Sequence, residues 1–295
     1  MTSPDVNSVM ILERNEKKEH VSSTESAPVY QMPKGFKFIR VLGTGAFSYV
    51  VLATKNRKKM ILKFMRKPSG YELGTVYDAR FKYGLKHKNI VDVYDVSRDM
   101  SYILMEYCNG GNLWDQASER SPKEILPIIM DTGIGIGKAL WAIHSYGIVH
   151  LDIKPENILF EKRGKELVPK LSDFGIARSR GSITLSTTPL YLPPGYTLPV
   201  IADPRLDLYQ LCLSLYFVLA TVVSRKTEKS YLQLLKEKRT PIRNLWSNFP
   251  VEIDNILLNG INAYRKDFSK SYQNAIELVS DFESAKKLES FSQNP

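Results

Sequence analysis

The chain has 295 residues, of which 43% are hydrophobic and 24% are charged, and this composition excludes a disordered, collagen-like or coiled-coil protein. Its length suits one large domain or two of medium size. The 41 basic and 31 acidic side chains leave a formal net charge of +10. Such a charge is compatible with an anionic partner and equally with an ordinary solvated surface. Two cysteines, Cys108 and Cys212, are too few for a disulfide framework or a four-thiolate zinc site.

No segment of the sequence has the pattern of a secretory signal or of a membrane span. The first ten residues lack a basic region followed by an apolar run. The longest nearly uncharged apolar stretch, residues 211–223, is shorter than the ~20 residues that a spanning helix needs. We therefore expect a soluble intracellular protein, cytoplasmic or nuclear, in which residues 211–223 form a buried core helix.

The first hundred residues after an N-terminal tail predict a small β-rich lobe. Residues 1–34 are rich in Ser, Thr, Glu, Lys and Pro, which predicts a disordered tail. A helical pattern weakened by glycines covers residues 71–86. Short β-rich runs separated by turn residues predict five strands, adjacent and antiparallel for the first three. These runs lie at residues 36–42, 49–54, 60–65, 91–96 and 102–107.

The pattern becomes helical after Gly110 and Gly111. Residues 121–147 start with a serine and place apolar residues at helical spacing, although three internal glycines argue against one smooth helix. From Asp203 onward the chain is mostly helical by the same criterion. The coarse prediction is a small β-rich lobe, a Gly-Gly hinge and a larger helical lobe.

A glycine-containing loop between the first two predicted strands is the first motif that suggests chemistry. Glycines allow backbone N–H groups to approach phosphates closely, although an ordinary β-turn has the same pattern. A strand follows the loop where a dinucleotide-binding fold would need a helix, so that fold is excluded. The residues of the loop are Gly43, Thr44, Gly45, Ala46, Phe47, Ser48, Tyr49 and Val50.

Five polar residues further along the chain suggest phosphoryl-transfer chemistry. Lys63 lies inside an apolar strand, where a lysine needs a charged partner or a route to the surface. Asp152, Lys154 and Asn157 share one short segment, and Asp173 begins an Asp-Phe-Gly sequence. A carboxylate can accept a hydroxyl proton, and amide and carboxylate oxygens are ligands that suit Mg²⁺. A lysine can neutralise charge on a phosphate in the transition state.

In this order the motifs resemble the signature set of the eukaryotic-type Ser/Thr protein kinases, over residues 36–282. The resemblance implies an α+β, bilobal protein-kinase fold, with a small β-rich N-lobe containing one main helix and a larger, mainly helical C-lobe. The implied boundaries are a kinase domain at 35–285, with the N-lobe at about 35–106, the hinge at about 106–111, the C-lobe at about 112–285, and a C-terminal tail at 286–295.

The resemblance also implies a role in nucleotide binding for the motifs of the first lobe. Residues 43–50 would cover the phosphates of ATP, and Lys63 would hold the α- and β-phosphates. Glu106 and Cys108 resemble the ends of a hinge whose backbone binds adenine, and Met105 would be the gatekeeper residue before it.

The second lobe would then contribute the transfer machinery. Asp152 would accept the proton of the substrate hydroxyl, Lys154 would contact the γ-phosphate, and Asn157 and Asp173 would hold Mg²⁺. Lys154, two residues after Asp152, resembles the Ser/Thr class, as does Thr188 near the expected substrate position. Asp207 is similar to the aspartate that braces the catalytic loop in this family.

One departure from the family pattern concerns the partner of Lys63. The family pairs this lysine with a glutamate, and the corresponding position here is Asp78, which is one methylene shorter. Glu72 is the alternative partner, and a plain surface acid is the other interpretation of Asp78. Lys82, where the family has an apolar residue, questions the register of this helix.

Three further departures concern the loops. Leu151 replaces the arginine that pairs with a phosphorylated activation loop, so we expect activity without that phosphorylation. Gly195 stands where the family has a glutamate, and Lys270 and Ser271 stand where its arginine partner is expected. Loss of both members is compatible with a structural variant that remains active. Ser48 replaces the third loop glycine, which we consider tolerable.

Four functions remain to be compared. The first is an active Ser/Thr protein kinase that uses Mg-ATP and phosphorylates protein substrates; the second is a pseudokinase scaffold or allosteric partner that binds nucleotide with little turnover. A kinase of small molecules is a third, and direct nucleic-acid binding is the least favoured because no recognised basic and aromatic pattern occurs. The basic residues around residues 55–67 fit an acidic docking site or a solvated turn. Nothing in the sequence specifies the oligomeric state.

Overall fold

The computed structural model of the protein describes residues 32–44, 48–65, 85–99, 101–227, 241–262 and 267–292. Residues Gly35–Pro295 form one compact unit, distinct from Met1–Lys34, and the elements below belong to it. Several predictions fall outside the described residues: most of the predicted tail at 1–34, most of the predicted helix at 71–86, and the residues Gly45, Ala46, Phe47, Glu72, Asp78 and Lys82.

Five antiparallel strands form the sheet of the first lobe, where the short β-rich runs predicted five strands. The sheet order is β1-β2-β3-β5-β4, which puts β3 at the centre and β1 at one edge. Asn56 and Arg57 both adopt positive φ angles, the conformation that a tight two-residue hairpin between β2 and β3 requires. The strands are β1 (Lys37–Thr44), β2 (Ser48–Lys55), β3 (Lys58–Met65), β4 (Val93–Val96) and β5 (Tyr102–Glu106).

The register of the central strand places Lys63 between two apolar neighbours, opposite Val50 on β2 and Ile103 on β5. The basic cluster near the β2–β3 turn has local partners: the Lys55 ammonium lies 4.8 Å from the centre of the Phe36 ring, and that of Lys58 lies 4.6 Å from the Tyr94 ring.

Helices dominate the second lobe, and its hydrophobic core surrounds one of them, α3. Over residues 206–223 nearly all side chains of α3 are buried, which confirms the predicted core helix at 211–223. The final helix continues beyond the predicted domain end at residue 285. The helices are α1 (Leu113–Ala117), α2 (Pro122–Ser145), α3 (Pro204–Thr227), α4 (Val251–Gly260) and α5 (Ala275–Ser292).

The helix α2 is continuous, although its glycines argued for interruption. Ser121 and Glu124 form a capping box at its start, and Pro122 occupies the first turn, where its missing N–H has no consequence. A methyl group at Gly133 would lie 2.5 Å from the Phe282 ring, and one at Gly137 would lie 2.6 Å from Val279. The glycines therefore permit close packing of α5 against α2.

Two helices have the length and hydropathy of membrane-spanning segments, namely Pro122–Ser145 and Pro204–Ser224. Within the fold, 61% and 94% of their most apolar windows are buried. Their apolar character is thus accounted for by packing in the core.

Short strands carry the loops between α2 and α3. In the hairpin of β7 (Ile158–Arg163) and β8 (Glu166–Leu171), Ile158 pairs with Leu171, so the 150–157 segment before β7 and Asp173 after β8 lie at the same end. The remaining short strands form two-residue antiparallel pairs; they are β6 (Ile148–Val149) with β9 (Arg178–Ser179), and β10 (Ile183–Thr184) with β11 (Val200–Ile201).

Candidate active site

A cleft of about 570 Å³ opens between the sheet of the first lobe and the loops of the second. The first two strands contribute Gly43 and Val50 to its lining, and the segment after β5 contributes Tyr107, Cys108 and Asn109. The predicted site residues that line this cleft are Gly43, Val50, Lys63, Glu106, Cys108, Asn157 and Asp173.

The other described residues of the glycine loop lie at its two ends. Thr44 ends β1 and pairs with Tyr49 of β2, and Ser48 begins β2 opposite Met65. Gly45, Ala46 and Phe47 connect them and lie outside the described residues. A role for residues 43–50 in covering phosphates stays a prediction.

Polar residues of the predicted catalytic loop, residues 150–157, form a connected group that Asn157 links to the cleft. The Asp152 carboxylate lies 2.8 Å from the Lys154 ammonium and accepts a hydrogen bond from the Thr188 hydroxyl at 2.6 Å. The Lys154 ammonium also donates to the Thr188 hydroxyl at 3.1 Å. The amide nitrogen of Asn157 donates to the backbone carbonyl of Asp152 at 2.8 Å and to its carboxylate at 3.0 Å.

Two residues of this region have backbone angles that side chains other than glycine rarely adopt. Leu151 has a φ of 69° and Asp173 has a φ of 59°. Such conformations cost about 1–3 kcal/mol each and persist only when surrounding contacts hold them. Both occur next to predicted catalytic or metal-binding positions, where a strained turn directs a side chain.

Asp207 supplies one set of contacts that hold the turn at Leu151. Its carboxylate is fully buried and accepts hydrogen bonds from the backbone N–H of His150 at 2.8 Å and of Leu151 at 2.7 Å. The ring nitrogen Nε2 of His144 lies 2.8 Å from the same carboxylate. This is the bracing position that the family resemblance implied for Asp207.

A second link joins the catalytic loop to the Asp-Phe-Gly segment. His150 is fully buried, and its ring nitrogen Nε2 lies 2.9 Å from the carbonyl of Ser172. The His150 ring also contacts the Phe174 ring edge-on, with 4.7 Å between the centres. The position of Asp173 is therefore tied to the position of Asp152.

Lys63 and Asp173 form an ion pair of 2.5 Å across the cleft. Burial raises the pKa of the Asp173 carboxyl, but the adjacent Lys63 ammonium outweighs that effect and holds the pKa below its ordinary value. Asp173 is therefore an anion at neutral pH. Lys63 offers a cation that an anionic ligand in the cleft would attract.

The residues present fit a magnesium ion bound together with phosphate. Because the amide nitrogen of Asn157 is engaged by Asp152, its oxygen is the atom of that side chain available to a hard cation. Asp173 supplies a carboxylate. Among the described residues no cluster of three or more His, Cys, Asp or Glu side chains forms a closed metal site. This open set suits Mg²⁺, which usually keeps water and takes substrate phosphates as ligands.

The segment after β5 is anchored by a buried lysine that the sequence analysis missed. Lys170 on β8 is 3% exposed, and its ammonium lies 2.9 Å from the Glu106 carboxylate. The same carboxylate oxygen accepts the Asp92 N–H at 3.0 Å. The available signal was a charged residue inside the otherwise apolar run 167–171 of β8. Burial and the nearby Glu106 carboxylate raise the pKa of the Cys108 thiol to about 12, so this thiol is neutral.

Gly195 and Ser271 stand where the family resemblance implied the glutamate and the arginine of an ion pair, and neither residue is charged. Gly195 has a φ of 82°, a conformation that favours glycine. Ser271 is buried, and its hydroxyl donates to the carbonyl of Gly260 at 3.1 Å. The two substitutions therefore leave no buried charge unpaired at Gly195 and Ser271.

Comparison with known proteins agrees with this architecture. Residues 36–288 match the protein kinase domain family. A probable serine/threonine-protein kinase of Clostridium perfringens is 31% identical over 271 residues, which are 85% of this chain and 38% of that protein. The serine/threonine-protein kinase PrkC of Bacillus subtilis is 30% identical over 272 residues, covering 85% of this chain and 40% of PrkC.

A third relative, a probable serine/threonine-protein kinase of Streptomyces coelicolor, is 31% identical over 272 residues, or 82% of this chain and 38% of that protein. The chain thus matches about two fifths of the length of these relatives. With a family match that spans most of its length, the chain belongs to the protein kinase domain family, and its bilobal fold is the one that the motifs implied.

Proposed function

We propose that this chain is an ATP- and Mg²⁺-dependent protein kinase that transfers the γ-phosphate of ATP to serine or threonine hydroxyls of protein substrates. The observation that carries the proposal is the gathering of five groups at one cleft and beside it. Lys63, Asn157 and Asp173 line the cleft. Asp152 is joined to Asn157 by a hydrogen bond and to Lys154 by an ion pair.

In the proposed reaction, the oxygen of the substrate hydroxyl bonds to the γ-phosphorus while Asp152 accepts the proton of that hydroxyl. The bond between that phosphorus and the β–γ bridging oxygen breaks, and ADP leaves with the bonding electrons. Lys154, held 2.8 Å from Asp152, neutralises charge on the transferred group. Catalysis of this kind depends on positioning and charge neutralisation, which the hydrogen bonds around Asp152 support.

Asn157 and Asp173 would hold the metal through their side-chain oxygens, and Lys63 would bind the α- and β-phosphates. When bound, Mg²⁺ supplies charge neutralisation for the phosphates. Because Lys63 pairs directly with Asp173, binding of Mg-ATP would replace this ion pair with a contact of Lys63 to phosphate and a contact of Asp173 to the metal.

The choice of hydroxyl follows from two residues and from the relatives. Lys154 and Thr188 form a hydrogen-bonded group with Asp152, the arrangement that resembles the Ser/Thr class. The three relatives above carry the name serine/threonine-protein kinase. We extend that activity to this chain as part of the proposal.

The second candidate is a scaffold that binds nucleotide with little turnover. The ion pair between Lys63 and Asp173 favours it, because both groups must separate before they can hold phosphate and metal. The complete set of transfer groups favours the active enzyme over this candidate.

The deciding experiment measures transfer of labelled phosphate from Mg-ATP to basic and acidic protein substrates, with identification of the labelled amino acid. Asp152→Asn should lower the rate by about 10²–10⁴-fold, the usual contribution of a general base. Asp131→Asn, a surface carboxylate that pairs with Lys286 on α5, is the matched control and should keep the rate. Nucleotide binding without transfer in the unaltered chain would support the scaffold instead.

A further inference from the structure

The side-chain amide of Gln210 lies at the junction of three segments of the second lobe. Gln210 follows Asp207 by one turn of α3 and is completely buried. A buried amide must satisfy two donors and an acceptor, so its partners are informative. Within the part of the chain that the structure describes, this amide hydrogen-bonds to the catalytic loop and to the segment that follows β10.

Gln210 binds the backbone on both sides of Asp152. Its oxygen accepts the N–H of Ile153 at 3.0 Å, and its nitrogen donates to the carbonyl of Leu151 at 3.1 Å. The strained turn at Leu151 is thereby held at its carbonyl by Gln210 and at its N–H by Asp207. The direction of the Asp152 side chain depends on both contacts.

The same amide reaches the segment between β10 and β11 through Thr187. The amide nitrogen of Gln210 lies 3.3 Å from the Thr187 hydroxyl, which donates to the Leu151 carbonyl at 2.6 Å. The three groups form a closed triangle of hydrogen bonds. The next residue, Thr188, contacts Asp152 directly, so the placement of Thr187 also sets that contact.

In the family that the sequence resembles, an arginine at the position of Leu151 pairs with a phosphorylated activation loop, and we expect this chain to be active without that link. Leu151 stands at the arginine position and is 1% exposed, so it packs into the core and offers no cation. At the Leu151 carbonyl, the catalytic loop is joined to the activation segment, residues 185–199 between β10 and β11, by two neutral side chains, Gln210 and Thr187.

We propose that Gln210 and Thr187 act as a pair of positioning residues that keep the activation segment against the catalytic loop without phosphorylation. This inference rests on the proposed kinase activity, because the orientation of Asp152 is what the pair sets. A small displacement of a catalytic group is enough to cost about 10²-fold in rate.

The test compares variants that remove the triangle while they preserve side-chain volume. Thr187→Val and Gln210→Leu should each lower kcat by about 10- to 100-fold with little change in the KM for ATP. Thr187→Ser retains the hydroxyl and should restore most of the rate. Because the two residues act through one contact, kcat of the double variant should be little lower than kcat of the more affected single variant.

A control and a second measurement separate positioning from general destabilisation. Thr221→Val removes a hydroxyl of the same helix that donates only within the helix, to the carbonyl of Phe217, and should keep kcat. Hydrogen exchange should show faster exchange of the Ile153 N–H and of the segment around Thr187 in the Thr187→Val variant. This measurement needs no activity, so it tests the inference even if the unaltered chain transfers no phosphate.

Two results would overturn the inference. One is a Thr187→Val variant with unchanged kcat and unchanged exchange. The other is an equal loss of kcat in Thr221→Val, which would assign the effect to the stability of α3.

Discussion

The two walls of the cleft are held in place by different means. The wall with the catalytic loop is fixed by Asp207 and Gln210, two fully buried polar side chains of α3 that bind backbone groups on either side of Asp152. The opposite wall includes β1, an edge strand whose residues are all exposed and whose pairing partner among the described strands is β2. The predicted catalytic loop is thus internally braced, whereas β1, which leads into the predicted phosphate-covering loop, depends on backbone pairing.

Removal of the central brace should have the largest effect. Asp207→Ala deprives the N–H groups of His150 and Leu151 of their acceptor, and each unsatisfied buried donor costs about 1–3 kcal/mol. We expect the free energy of unfolding to fall by about 2–6 kcal/mol in denaturant titrations. Asp203→Ala removes the carboxylate at the start of α3, which accepts the Arg205 N–H and pairs with the Arg205 side chain, and should cost about 0.5–2 kcal/mol. Equal losses would contradict the assigned bracing role.

The contrast between the walls should also appear in their apolar residues. Leu215→Ala empties a fully buried site on α3 and should cost about 2–5 kcal/mol of unfolding free energy. Ile39→Ala on β1 removes a side chain that is 40% exposed and should cost about 0.5 kcal/mol. A large loss at Ile39 would show that β1 has a packing partner outside the described residues.

The segment after β5 joins the two walls and should have an intermediate sensitivity. Lys170→Met removes the buried cation that pairs with Glu106, although the Asp92 N–H still donates to the Glu106 carboxylate. We expect the free energy of unfolding to fall by about 1–3 kcal/mol. ATP binding should weaken in the same variant. Lys88→Met, which removes an exposed pair with Glu166 at the end of the same hairpin, is the control and should change neither quantity. Unchanged ATP affinity in Lys170→Met would separate this lysine from the nucleotide site.

The smallest effect concerns the ion pair across the cleft. Because the pKa of Asp173 is lowered in the folded protein, its ionised form stabilises the fold above the unfolded pKa of about 3.9. That contribution should disappear as the pH falls through the lower, folded pKa. Asp173→Asn should therefore be less stable than the unaltered chain at neutral pH and equally stable in acid. In a Lys63→Met background, the ammonium that lowers the pKa of Asp173 is absent. The stability difference between the chains with and without Asp173→Asn should then lose its pH dependence or change with pH in the opposite direction.

Local patterns in the sequence predicted the strands and the buried helix α3. The order of the motifs singled out Lys63, Asp152, Asn157 and Asp173, whose roles stay predictions. These features depend on residues close together in the chain or on a motif order that one family shares. The glycines of α2 were misleading because a pattern does not show what packs against them; in the structure, Gly133 faces Phe282 on α5.

The contacts that sequence analysis missed join distant segments. Gln210 meets Leu151 over 59 residues, and Lys170 meets Glu106 over 64. Neither polar residue belongs to a short motif, so their partners follow only from the packing of α3 and β8. The expected pairing of Lys63 with Asp78 stays a prediction, since Asp78 lies outside the described residues, and the partner seen for Lys63 is Asp173.

The central claim is that the catalytic loop is held in working geometry by the fold itself. Its most direct test is the time course of phosphate transfer by the full chain after exhaustive phosphatase treatment and removal of the phosphatase. The account predicts transfer at the untreated rate from the first time point. Loss of most activity, or a lag that shortens as the chain phosphorylates itself, would show that the activation segment needs a phosphate that the Gln210–Thr187 contact does not replace.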